Sequence, residues 1–171
     1  MKPLIPLVLA LTVALLSGQA QAGVNSESVK SAFERMHGLA GTWQGKDDEG
    51  QPATVKYEVM SGGSIVTERL QPGPKADEAM LTVYHLDGDK LLCTHYCSRN
   101  NQPRMRLESY DTKDGVLDFD FVDATNLASE HEGHMHKLVL KNPDKDHLIQ
   151  EWSWHENGQQ TPAVFHFERK K

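Results

Sequence analysis

Between residues 39 and 169 the chain breaks into ten short segments of mostly alternating apolar and polar residues, nearly all of them closed by turn residues. They are Leu39 to Lys46, Ala53 to Met60, Ser64 to Gln71, Ala79 to Leu86, Lys90 to Ser98, Pro103 to Tyr110, Val116 to Asp123, Gly133 to Lys141, His147 to His155 and Thr161 to Arg169. Side chains on a strand alternate sides, so Val55, Tyr57 and Val59 share one face while Thr54, Lys56 and Glu58 share the other. Leu117, Phe119 and Phe121 oppose Asp118 and Asp120 in the same way. Turn signals such as Gly62-Gly63, Asp87-Gly88-Asp89, Asn142-Pro143-Asp144 and Asn157-Gly158 join successive segments. The expected fold is all-β: an up-and-down antiparallel barrel of about ten strands, closed because closure removes exposed edges. An open sandwich is the alternative. One helix precedes the strands, Asn25 to His37, with Val29, Ala32, Phe33 and Met36 at helical spacing.

The first 22 residues stand apart. Lys2 precedes an apolar run from Leu4 to Leu16, and Ala20-Gln21-Ala22 is a small-x-small cleavage site. This is the pattern of a secretory signal peptide, too short in its apolar part for a membrane span. Residues 23–171 are then expected to form a single exported domain, periplasmic or secreted, with no further membrane span. That part carries 17 basic and 24 acidic residues, a balance that argues against a nucleic-acid surface.

Cys93 and Cys97 are the only cysteines, and they flank His95 on one segment. Two positions four apart on a strand lie about 13 Å apart at ~3.3 Å per residue. A disulfide needs Cα atoms within about 7 Å. Two separate thiols are therefore expected, in spite of the oxidising compartment.

Gly41-x-Trp43 after a short helix, followed only by meander strands, resembles the calycin group of lipocalins, fatty-acid-binding proteins and their bacterial relatives. The stretch containing His85 to Cys97, HLDGDKLLCTHYC, and Asn101 to Met105, NQPRM, looks like that of uncharacterised secreted bacterial proteins with a lipocalin-like domain. The resemblance implies a barrel with Trp43 plugging one end under the helix. Gly41-Thr42-Trp43-Gln44-Gly45 is similar to the start of nitrobindin-like haem proteins, which carry a haem-ligating histidine near the C-terminus, where His166 stands here. Lys46-Asp47-Asp48 departs from their glycine pattern. His134-x-His136 is similar to the His-x-His of periplasmic zinc-binding lipocalin-like proteins.

Alternation aims His134, His136, Leu138 and Leu140 into the barrel, with Leu148, Gln150, Trp152 and Trp154 opposing Glu151 and His155, and Leu91, Cys93, His95 and Cys97 inward. Two readings follow. In the first, a small apolar or amphipathic ligand occupies the cavity, contacted by Tyr57, His95, Arg104, Met105, Phe119, Phe121, His134, His136, Trp152 and Trp154. Arg104 shares a face with Arg106; the pair either meets a ligand carboxylate or lies solvated outside while Met105 and Leu107 turn inward. In the second, His95, Cys97, His134 and His136 hold zinc or haem, with Cys93 and His131 as further candidates. Catalysis on a small molecule in the cavity is a third class without assigned residues. Ser61-Gly62-Gly63-Ser64 does not complete a nucleophile elbow, and Cys97 near His95 has no orienting acid.

Overall fold

The computed structural model describes residues 24–171; the proposed signal peptide lies outside them. Helix α1 (Ser26–His37) is followed by ten strands: β1 (Gly41–Asp47), β2 (Pro52–Met60), β3 (Ile65–Pro72), β4 (Met80–Asp87), β5 (Lys90–Tyr96), β6 (Gln102–Asp111), β7 (Val116–Thr125), β8 (His134–Lys141), β9 (His147–Glu156) and β10 (Gln159–Arg169). Every strand pairs antiparallel with its sequence neighbour, and β1 pairs with β10, so the sheet closes into a barrel. The sandwich alternative is excluded by that last pairing. Among the described residues, no helix is long and apolar enough to cross a membrane.

Closure depends on one glycine. A Cβ on Gly45 would lie 1.8 Å from the carbonyl oxygen of His166, so only glycine allows β1 and β10 to approach. At the same seam, the Arg169 guanidinium stacks over the Trp43 ring and donates to the carbonyls of Gly38 and Ala40. Trp43 is fully buried and its indole N–H donates to Leu39 O at 2.9 Å. The helix begins at Asn25, whose side chain accepts from Ser28 N, and buries Val29, Ala32, Phe33 and Met36 against the barrel core. Arg35 of the helix donates to Asn142 O just past β8. That end of the barrel is therefore the covered one.

The interior is filled by side chains that cross it. Gln150 of β9 donates to the Tyr57 hydroxyl of β2 at 2.6 Å, Tyr84 of β4 packs edge-on against Phe119 of β7, and His95 of β5 lies 4.6 Å from the Trp152 ring of β9. Tyr57, Tyr84, His95, Met105, Phe119 and Trp152 are each no more than 1% exposed. They pack on one another and leave no water-sized gap at their surfaces. Strand β5 ends at Tyr96, earlier than alternation suggests. Its pairing with β6 covers Leu92 to Thr94, and the next position would face Pro103, which has no N–H to donate. Cys93 and Cys97 are both free, as their spacing requires.

Candidate metal centre

The end of the barrel away from α1 is built from the start of β8 and the end of β9. Strand β8 runs from His134 to Lys141, beside Asn142 and the helix, so His134 lies roughly 23 Å along the strand from that end at ~3.3 Å per residue. Near Lys141 the pairing is regular: Lys141 faces Ile149 and Leu138 faces Trp152. Between Lys137 and Met135 the register shifts, and His136 is left without a partner. Past this bulge Met135 pairs with Trp154, and His134 pairs with His155.

The bulge changes the phase of β8. Trp152 and Leu138 are buried inside, and Met135 and Trp154 also pack against the core. The extra residue brings His134 opposite His155, and His134 packs against Phe121, so that it is almost wholly buried. Strict alternation cannot anticipate an extra residue, so the pairing of His134 with His155 was not foreseen. Gly133, immediately before, is fixed by the same packing: a Cβ there would sit 2.1 Å from the Trp154 ring.

Three imidazoles meet as a result. His134, His136 and His155 each offer one ring nitrogen, and these atoms lie within 4.8 Å of one another. His134 is 3% exposed, and the other two are half-buried. Phe121 of β7 stacks on His136 with centroids 4.7 Å apart and touches His134 at 4.9 Å. His134 Nδ1 lies 2.8 Å from Glu132 O. A carbonyl can only accept, so Nδ1 carries the proton and Nε2 presents its lone pair. That lone pair points at His136 Nδ1, 3.2 Å away. Two nitrogens on a tetrahedral zinc ion are separated by about 3.3 Å, given Zn–N bonds of ~2.0–2.1 Å. The first two donors thus already stand at ligand spacing. His155 Nδ1 is buried without a hydrogen-bond partner among the described residues. The His136 imidazole is held below its usual range, first by burial and then by its two histidine neighbours, with the Asp120 charge acting the other way. A neutral imidazole is the form a metal requires.

The other sequence candidates are dispersed. His95 is wholly buried in the interior, its Nδ1 3.0 Å from the Thr82 hydroxyl, and its basicity is lowered to about 4 by burial. Cys97 lies in the turn after β5, its thiol pushed up by burial. Cys93 is raised further for the same reason, with a contribution from the Glu68 charge. Tyr57, Met105, Phe119 and Trp152 are interior packing. Trp154 lies beneath the Arg99 guanidinium. Arg104 and Arg106 are on the outside, paired with Asp123 and Glu108. His166 is exposed and 3.2 Å from Asp48, and His131 is exposed beside Glu130. Of the four residues expected to bind metal, only His134 and His136 come together, and their third partner is His155.

A second polar group, also not anticipated, lies in the middle of the barrel. Glu68 Oε2 accepts from the hydroxyls of Tyr57 at 2.8 Å and Tyr84 at 2.6 Å. The Glu68 carboxyl is raised to about 6, because burial outweighs those hydrogen bonds. Glu68 Oε1 and His95 Nε2 have no partner among the described residues.

No protein-family model matches the chain, and no curated protein matches it.

Proposed function

We propose that this chain is an exported β-barrel protein that binds a transition-metal ion, at the end of the barrel away from α1, through His134, His136 and His155. The observation that carries the reading is the convergence of three ring nitrogens within 4.8 Å, one pair already 3.2 Å apart. The carbonyl of Glu132 behind His134 supports it, since a backbone acceptor on the far ring nitrogen is how ligating histidines are oriented. Export rests on the leader pattern of residues 1–22 and places the ion in a periplasmic or extracellular setting.

A bare ion suits the cluster better than haem. A porphyrin occupies four positions in one plane and leaves axial sites on opposite faces of the iron. Nitrogens 3.2 Å apart are neighbours on one side, as in a tetrahedral or facial arrangement. An apolar ligand in the barrel has weaker support, because the side chains that would form its walls fill the space themselves.

The test is zinc titration of protein carrying no affinity tag, read against a chromophoric chelator. One zinc per chain is expected. His134→Ala and His155→Ala should each weaken binding by more than the roughly 10–100-fold that losing a partner behind a ligand costs. Zinc affinity unchanged in His155→Ala, or a Soret band that needs His134, would overturn the reading.

A further inference from the structure

The residue before His134 is Gly133, whose backbone has the widest freedom, so the ring stays in place only if the chain there is anchored. Three successive carbonyls are held at this point. His131 O accepts from Asn157 N at 3.1 Å, Glu132 O faces His134 Nδ1 at 2.8 Å, and Gly133 O accepts from Asn101 Nδ2 at 2.9 Å. Asn101 opens the Asn101 to Met105 stretch singled out in the sequence, and it is wholly buried. It sits in the turn between β5 and β6, which is closed by Cys97 N on Asn101 O and Asn100 N on Cys97 O, each 3.1 Å. A carbonyl can only accept, so the amide nitrogen is the end that faces Gly133. Its Oδ1 is then buried without a partner among the described residues. An unpaired buried acceptor costs stability, so packing alone is a poor account of an asparagine here.

We propose that Asn101 is the positioning residue of the metal centre. This rests on the three-histidine reading above. The Gly133 carbonyl belongs to the peptide unit that joins Gly133 to His134. By holding that carbonyl, Asn101 fixes the peptide plane from which the His134 side chain departs. Glu132 O then stays on His134 Nδ1, and Nε2 keeps its lone pair toward His136. All of these bonds are made within the chain itself, so the metal-free protein already holds His134 in one tautomer. An arriving ion meets a ligand that needs no reorientation, which is what a supporting shell contributes to affinity.

The experiment compares wild type with Asn101→Ala, Asn101→Leu and Gln150→Ala, all without an affinity tag. Leucine keeps the shape of the asparagine side chain and lacks its donor, so one Asn101 variant backs up the other. Gln150→Ala removes a buried hydrogen-bonding side chain from the interior, and it controls for loss of stability. Zinc affinity is read by chelator competition at a temperature where circular dichroism shows each chain folded. Both Asn101 variants are expected to bind zinc about tenfold more weakly, and Gln150→Ala to stay within threefold of wild type. Nitrogen-15 spectra of the metal-free imidazoles give a readout that a merely structural role would not move. His134 should show one tautomer, protonated at Nδ1, in wild type and Gln150→Ala, and a mixture in the Asn101 variants. An unchanged tautomer or unchanged zinc affinity in Asn101→Leu would overturn the assignment. Equal weakening in Gln150→Ala, or failure of both Asn101 variants to fold, would make Asn101 a residue of the fold and overturn it too. Wild type that binds no zinc would overturn the three-histidine reading, whereas the tautomer measurement, made without metal, decides the role of Asn101 by itself.

Discussion

Glu68 in the middle of the barrel and His134 at the end away from α1 are both almost wholly buried, yet their chemistry differs. Glu68 is enclosed by groups that already serve one another: two tyrosine hydroxyls converge on one carboxylate oxygen, and Gln150 donates to the first of them. Its other oxygen has neither a partner nor open space. His134 has one nitrogen satisfied by a backbone carbonyl and the other directed at a neighbouring ring whose outer side is half-exposed. Burial marks both places equally. What separates them is what each group faces: Glu68 meets hydroxyls that it already satisfies, whereas His134 meets two further imidazoles whose ring nitrogens converge with its own. On that ground the interior is scaffold and the histidine cluster is the proposed site.

The largest expected effect tests the interior half of this contrast. Trp152 packs on His95, and its indole N–H donates to Gln150 Oε1 at 3.2 Å. Trp152→Ala should cost about 3–5 kcal/mol in urea unfolding, the usual result of emptying a packed aromatic position. A cost below about 1 kcal/mol would mean that the interior already holds a cavity, and the small-ligand reading would regain its footing.

Acidity distinguishes the two interior groups from each other. The His95 imidazole is lowered to about 4 from 6.5. A lowered base stabilises the fold fully above pH 6.5, and that contribution is lost as pH falls through 4. At about 1.4 kcal/mol for each pH unit between the two values, roughly 3 kcal/mol is at stake. The Glu68 carboxyl is raised from 4.5 to about 6. A raised acid stabilises the fold fully below pH 4.5, and its contribution is lost as pH climbs through 6, worth roughly 2 kcal/mol. Unfolding free energies measured at pH 4, 5.5 and 7 should therefore diverge between variants. His95→Gln should flatten the acid-side loss, and Glu68→Gln, a slightly smaller effect, should remove the fall between pH 4.5 and 6. Profiles parallel to wild type in both variants would show that neither group is buried in the way described.

Strand alternation and turn chemistry made the barrel legible before any coordinates, because period-two patterning depends on nothing beyond each segment. Glu68 was legible in the same way: it shares a face with Val66 and Leu70, both inward, and only its charge argued against placing it inside. The partner of His134 was not. Counting back from Lys141 opposite Ile149 without a bulge sets His134 against Glu156, not His155. One extra residue at His136 shifts the partner. Nothing in the local sequence announces it, because a bulge is fixed by packing between strands, here by Trp154 over Gly133 and Phe121 on His136.

The smallest expected effect is the sharpest test of the contrast. His155 is half-buried and has one ring nitrogen without a partner, so it contributes little to the metal-free fold. His155→Ala should shift metal-free stability by no more than about 1 kcal/mol. With zinc at a hundredfold excess over its dissociation constant, the wild-type chain should gain about 2.7 kcal/mol from binding to the folded state alone. The variant should gain almost none of it. A residue that held the barrel together would show the reverse, a large metal-free loss with zinc stabilisation intact. The two curves, with and without zinc, thus separate a histidine kept for structure from one kept for a ligand, and they do so at the position where the barrel wall departs from its regular register.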